Sequence, residues 1–360
     1  MNALMDLSTI LQVQGAKEAG LNVLTLALDA NRVYELAASK PVCIRLLAIM
    51  APGDLMVNTP LPFLFENSDI QLSMLYLVPG EPIPKPLPEH DVAIIAVSDT
   101  SHTHELLEQL VAEVPSWEKP VLIQPAALLR TSRQHAFNML QGIPGISMPQ
   151  TALTTRAALE ALAAGKTPLS EWLSEGGFPL IVRPVDSHAG IGLEKIDSLM
   201  HLSQYLETHQ ASEFYISPFV DYRSADGYYR KFRVVLVDGM AYAGHMAVSE
   251  KWMVHYLNAG MADSAWKRDE EERFMQTFES DFARRHAQAL QRIHSSFGLE
   301  YLVMDCAETA AGDLLLFEVD PGAVIHTMDP KDMFPYKAPA MQKIMVAFRD
   351  LLLRTGQAGR

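Results

Sequence analysis

The chain has 360 residues, of which 49% are hydrophobic and 20% charged, and a formal net charge of −14. That is length enough for two or three folded domains and more than one core, and nothing reads as globally disordered. The acidic balance excludes a general nucleic-acid surface, which needs a basic face, but leaves room for a local basic pocket.

The N-terminus, "MNALMDLSTILQVQ", has no basic start followed by a long apolar stretch, so no signal peptide is expected. No apolar run is long enough to span a membrane. Cys43 and Cys306 are far apart in apolar segments. They form no disulfide framework and no zinc pattern, so the expectation is core thiols in a reducing cytoplasm.

Residues 1–40 read as helical, with Leu, Val and Ala at helical spacing and an interruption at Gly20. From 43 the texture changes. The runs 43–50, 72–79, 92–99 and 120–125 are short and apolar, and "THELLEQLVAEV" between the last two is helix-like. Strands alternating with helices predict a parallel α/β domain over 41–125. "VPGEPIPKPLPEHD" is a Pro-rich loop.

Near 150 the pattern changes again. "TTRAALEALAAG" predicts a helix from a Thr cap to Gly165. Strands follow at 178–185, 213–221 and 228–248, the last with Asp238-Gly239 as a hairpin turn. Residues 279–298 form an amphipathic helix closed by Gly298. Residues 299–308 and 313–320 form a second hairpin through "TAAG". No internal repeat is present.

Three stretches carry chemistry. In "RPVDSHAGIG" (183–192) a basic residue ends a strand, and Gly190 and Gly192 bracket Ile191. Such a loop is either an ordinary hairpin or a cradle whose N–H groups approach phosphate. In "LLLFEVDPG" Glu318 and Asp320 stand at i and i+2, hence on one strand face, where like charges repel. A divalent cation, nearby Arg or Lys, or solvent would compensate. Asp305, on the other arm of the hairpin, falls within reach, and three oxygen donors suit Mg²⁺. Third, Arg230, Lys231 and Arg233 share a strand, with Lys251 and His255 following. These cations either neutralise an anionic substrate or form a solvated face.

The order of these pieces resembles the ATP-grasp superfamily, in the branch of glutathione synthetase, the ribosomal-S6 glutamate-ligating enzymes and D-alanine–D-alanine ligase. "FPLIVRPVDSHAGIGLEKI" is similar to its strand–glycine-loop–strand, "EFYISPFVD" to its adenine hinge, and "LLLFEVDPGAV" to its metal strand E-x-N-x-x-PG. The resemblance covers about 125–330; residues 1–40 lie outside it. With the helical segment (1–40) set apart, the chain is expected to be α/β and α+β: a parallel α/β domain (41–125) whose texture fits the domain that precedes the grasp, and a two-lobed grasp with antiparallel sheets. The first lobe would be 126–225, with glycine loop and hinge, and the C-terminal lobe 226–360, with the metal site.

The resemblance also implies site residues. Arg183, with Arg133, takes the place of nucleotide-binding lysines. Ser187, His188, Ala189, Gly190 and Gly192 would cover the β- and γ-phosphates. Ser217, Pro218, Phe219 and Val220 would hold adenine, Asp221 the ribose, and Phe317 would also contact the nucleotide. Asp305, Glu318 and Asp320 would bind two Mg²⁺ ions, with Mn²⁺ as an alternative. Arg233 would face the reacting carboxyl, with Lys251 as the second catalytic cation, and 250–261 would border the acceptor site.

Three departures from the family pattern stand out. Asp320 replaces the usual Asn, Arg183 replaces Lys, and Val303 stands where D-alanine ligases carry Arg, which argues against that enzyme itself. The implied activity is ATP-dependent ligation of a small-molecule or peptide carboxylate to an amine through an acylphosphate. A phosphotransferase and a non-catalytic nucleotide-binding regulator are the alternatives. Neither nucleic acid nor membrane is expected as a partner, and a homo-oligomer is left open.

Overall fold

The computed structural model describes residues 2–187 and 190–358. Its strands, in chain order, are β1 Val33–Leu36, β2 Ile44–Met50, β3 Ile70–Tyr76, β4 Val92–Ile95, β5 Val121–Leu122, β6 Ile146–Ser147 and β7 Ala152–Thr155. They continue with β8 Leu180–Pro184, β9 Glu194–Ile196, β10 Glu213–Pro218, β11 Tyr229–Val237, β12 Met240–Ser249, β13 Tyr301–Glu308 and β14 Leu314–Val319.

The first sheet has the order β1-β3-β2-β4-β5. Its strands are parallel except β1, which runs antiparallel at the edge against β3. β2 and β4 are apolar and buried almost throughout, as a sheet covered on both faces requires. The Pro-rich segment between β3 and β4 contributes no strand.

Residues 1–40 differ from expectation in two ways. The helices are Asn2–Val13 and Lys17–Ala30, and the break falls at Gly15, whose φ is +83°. Gly20 lies inside the second helix, at the point where the two cross. A Cβ there would stand 2.5 Å from Gln12 Cγ and 2.9 Å from the Ser8 carbonyl. The glycine permits a close approach rather than a break. After Ala30 the chain becomes β1, fastened to the helix by the Tyr34 hydroxyl donating to the Ala27 carbonyl at 2.6 Å.

The second sheet, β7-β10-β8-β9, is antiparallel. Its helices, Arg156–Ala163 and Leu199–Thr208, are capped by Thr155 and Ser198. Leu159, Leu180, Val182, Leu202, Phe214 and Ile216 form a core of their own, separate from the main one. This unit is therefore a lobe in the physical sense.

The third sheet has the order β12-β11-β13-β14-β6, antiparallel except for the short parallel pair β14–β6. Its β11–β12 turn has Asp238 at φ +50° and Gly239 at φ +78°, the left-handed pair a tight hairpin needs. The helix expected over 279–298 is split into Phe282–Arg285 and Ala287–Phe297. The break is at His286, whose buried Nε2 meets Glu308 at 2.6 Å. Gly298 closes the second piece at φ +65°.

The last helix, Lys337–Ala358, packs on β2 and β4 of the first sheet and on β11 and β12 of the third. It fixes those two sheets against one another. The bidentate pair Arg349–Asp69, at 2.8 and 2.5 Å, crosses the same seam.

Candidate active site

Four side chains form a row across the third sheet. His245 on β12 is the register partner of Arg233 on β11; Arg233 is the partner of Asp305 on β13; Asp305 is the partner of Glu318 on β14. Directly opposed residues share a sheet face, so all four project to one side. Two irregularities hold this register. One separates Arg233 from Val234, and there Gly244 is obligatory, since a Cβ would lie 2.9 Å from Arg233 Cγ. The other leaves Phe317 unpaired beside Glu318, because Cys306 pairs with Leu316. Bulges of this kind re-aim side chains.

The row is tightly paired. Arg233 donates through Nε to Asp305 Oδ1 at 2.8 Å and through Nη2 to Oδ2 at 3.0 Å. Its Nη1 donates to the Val324 carbonyl at 3.2 Å. Lys231 Nζ lies 2.7 Å from Asp305 Oδ2, and the Asp305 side chain is only 3% exposed. Burial pushes the Asp305 pKa up, but Arg233 and Lys231 outweigh it and leave the carboxyl well below the usual range.

Glu318 is met from two other elements. Arg133, at the start of the helix Arg133–Leu140, donates to Glu318 Oε2, and Arg183 Nη1, at the end of β8, lies 3.8 Å from the same oxygen. Arg183 therefore reaches from the second sheet to the third. Burial raises the Glu318 pKa and Arg133 and Arg183 offset it, so the group stays below its ordinary value. Burial and the neighbouring Arg133 lower Arg183 to about 10.

Asp320 lies one residue beyond β14 and accepts the Gly322 N–H at 2.7 Å. Burial and the charge on Glu318 push it up to about 6. The repulsion expected of the i, i+2 pair is therefore present. The turn Pro321-Gly322 docks on the first domain: Thr59 Oγ1 donates to the Pro321 carbonyl at 3.1 Å, and a Cβ on Gly322 would stand 2.6 Å from Ser98 Oγ. Ser98 and Thr59 follow the carboxyl ends of β4 and β2, the end at which open α/β sheets present ligands.

The phosphate-loop candidate follows Arg183. Arg183 donates to the Ser187 carbonyl, and Ser187 Oγ donates to the Pro184 carbonyl at 2.7 Å. Gly190 and Gly192 have φ of +76° and +68°, which favour glycine. His188 and Ala189 lie outside the described residues. Sequence reasoning missed Ser101, whose N–H and hydroxyl donate to Asp186 at 3.1 and 2.5 Å and tie this loop to the first domain.

The hinge candidates Ser217 and Pro218 end β10, and Phe219 N–H donates to the Pro179 carbonyl at 3.0 Å. The Phe219 ring sits edge-on to Trp252 at 5.6 Å, with Lys195 Nζ 4.5 Å from its centroid. Val220 is half-buried. Asp221 is turned to Arg223, 3.4 Å away. Phe317 packs edge-on to Tyr222 at 5.0 Å. Lys251 is exposed, and its backbone N–H caps on Ser249 Oγ at 3.0 Å. Arg230, on the opposite face of β11 from Arg233, pairs with Asp226 and Glu270.

Among the described residues, no group of three or more His, Cys, Asp and Glu side chains is set to hold a metal ion. The donor chemistry nonetheless suits a hard divalent cation at Glu318 and Asp320, whose mutual repulsion it would relieve. Asp305 is less open, since both its oxygens already accept from Arg233.

The sequence matches no protein-family model and no curated protein sequence. Solved structures are similar in fold. The VanG D-Ala:D-Ser ligase from Enterococcus faecalis aligns over 86% of this chain and 99% of its own, with TM-score 0.50 and 14% identity. The D-alanine–D-alanine ligase from Bacillus anthracis complexed with ATP aligns over 88% and 99%, with TM-score 0.50 and 15% identity. The chain has the ATP-grasp fold. At these identities the likeness is one of fold. No helix among the described residues is long and apolar enough to cross a membrane.

Proposed function

We propose that the protein is an ATP-dependent carboxylate–amine ligase. The observation that supports this most is the convergence of Arg183, from one lobe, and Arg133 on Glu318, beside an Arg233–Asp305 pair on the next strands. Cations and acids from three chain segments meet where the two lobes face each other. The solved structures of similar fold are named as ligases, and one is complexed with ATP.

On this reading a substrate carboxylate oxygen attacks the γ-phosphorus of ATP. The bond to the β–γ bridging oxygen breaks, giving an acylphosphate and ADP. An amine then attacks the acyl carbon, phosphate leaves with its electron pair, and the amine proton is lost to the medium. Arg133 and Arg183 bind the nucleotide phosphates, and the Ser187–Gly192 loop covers them and excludes water. Ser217–Asp221 seats the nucleoside with Phe317. Glu318 and Asp320, with Asp305, would hold Mg²⁺, which would neutralise phosphate charge. Arg233 is oriented by Asp305 so that its remaining N–H groups stabilise charge developing on the reacting carboxyl. The work is positioning and electrostatics.

The second reading is a nucleotide-binding regulator without turnover. It draws on Asp305, whose two carboxylate oxygens are already engaged by Arg233 and Lys231. A panel of amino acids and small acids, each with and without amines, separates the two. Phosphate and ADP released only when acid and amine are both present, with a product of the summed mass less water, supports the ligase. Binding of ATP with no turnover in any combination supports the regulator, and ADP formed without phosphate supports a phosphotransferase.

A further inference from the structure

Behind the row lies a buried ionic cluster with no part in the proposed chemistry. Glu271, on the helix Ala265–Thr277, is fully buried, and the Lys337 side chain is 6% exposed. Their charged atoms are 3.7 Å apart, and Lys337 Nζ is 3.2 Å from Asp329 Oδ2. Lys337 also donates to the Tyr256 hydroxyl and stands 3.9 Å from that ring's centroid. Glu271 accepts from Tyr256 at 2.9 Å, from Tyr336 at 2.7 Å and from the Met246 N–H at 3.2 Å. Buried ion pairs rarely add stability over apolar packing.

One arm of the cluster ends on Arg233 and the other on its neighbour across the sheet, His245. Tyr256 sits edge-on to His245 with centroids 5.0 Å apart, and His245 is the register partner of Arg233. Asp329 belongs to the segment after β14, in which the Val324 carbonyl accepts from Arg233 Nη1 at 3.2 Å. Lys337 thus ties the segment around 256, which packs on His245, to the segment 324–329, which meets Arg233 Nη1 through the Val324 carbonyl. Met246, next to His245, is fixed by Glu271 as well.

We propose that Lys337 and Glu271 are positioning residues that hold the Arg233 guanidinium in its working orientation by locking the segments around Tyr256 and Val324–Asp329. The cluster acts through Tyr256 and His245 on one side and through the Val324 carbonyl on the other. It does not touch the reacting atoms. Its importance for ligation rests on the function proposed above, but the positioning itself does not.

The test is the side-chain Nε–H resonance of Arg233, assigned by its loss in Arg233→Lys. The probe variant is Glu271→Gln/Lys337→Met, which removes the charges and keeps shape and most hydrogen bonding. The expected result is a shifted or broadened Arg233 resonance, while that of Arg349, paired bidentately with Asp69 on the far seam, stays in place. Lys337→Arg, which keeps the charge beside Glu271 and Asp329, leaves the Arg233 signal at its wild-type position. Tyr256→Phe, which keeps the ring against His245 and removes only the hydroxyl, gives a smaller shift of the same kind and stands in should the double variant not fold. An unmoved Arg233 resonance in either folded variant overturns the proposal. If wild-type protein ligates, the double variant loses about tenfold in kcat with unchanged ATP affinity. A wild type that turns over no acid–amine pair removes the ligase reading and leaves the resonance test standing.

Discussion

Arg233 and Asp305 face each other across β11 and β13 and meet through two parallel hydrogen bonds of 2.8 and 3.0 Å. The carboxylate fixes the plane of the guanidinium, and the third nitrogen is fixed by the Val324 carbonyl. Such a fork is specific to arginine. Arg233→Lys keeps the charge and loses the fork. ATP affinity measured by calorimetry should stay within about threefold, while amine-dependent ADP release on the same preparation falls about 10²–10³-fold, the usual effect of one charge-stabilising donor. Equal loss of both would make Arg233 a nucleotide ligand.

Glu318 holds Arg133 and Arg183 together. Glu318→Ala leaves two neighbouring arginines without their acid and removes one of the two most open oxygen donors. ADP formation should drop by at least about 10²-fold. The two arginines left facing each other should also lower the melting temperature, so turnover is compared well below it. Substantial turnover at saturating Mg²⁺ would contradict the role.

Gly190 has φ of +76°, and among the described residues a Cβ there would meet the Met253 side chain, Sδ at 3.4 Å and Cε at 4.0 Å, ordinary contacts. Gly190→Ala should therefore cost only the left-handed backbone penalty, about 1–2 kcal/mol. ATP affinity should weaken more than melting predicts, about tenfold or beyond. Unchanged affinity with lowered stability would assign the loop a structural role alone.

Asp69 supplies a pH prediction away from the site. Its hydrogen bonds to Arg349 hold its pKa below the ordinary value in the folded chain, against the effect of burial. A carboxyl depressed in this way stabilises the fold fully above its unfolded pKa, near 4, and the contribution is lost as pH falls toward the folded value. Asp69→Asn should lower the melting temperature at pH 7, by about 1–2 kcal/mol in stability after allowing for the partly exposed Arg349. The gap from wild type should begin to narrow below about pH 4 and go on narrowing toward the folded pKa. A constant gap from pH 7 to pH 3 would show that the pair contributes nothing.

Much of the architecture is legible along the chain because it is set locally. Asp238-Gly239, "TAAG" and Gly298 mark turns and a cap through backbone demands that neighbouring residues cannot override. The acids Asp305, inside β13, and Glu318, near the end of β14, are visible as charges after apolar runs. What is not legible depends on packing between distant segments. Gly20 reads as a break and is a helix crossing. The bulges at Gly244 and Phe317 decide that His245, Arg233, Asp305 and Glu318 align, and neither leaves a periodic signal. Ser101 reaches Asp186 across 85 residues, and Lys337 reaches Tyr256 across 81. Such pairs exist only once the domains have met.

The central claim is that a carboxylate is activated by phosphoryl transfer at this site. The most direct measurement uses the acid identified by the panel, labelled with ¹⁸O in its carboxyl group, and mass analysis of the phosphate released during ligation. Attack of the carboxylate on the γ-phosphorus predicts one ¹⁸O in each phosphate. Unlabelled phosphate, formed at the same rate as ligated product, would contradict it.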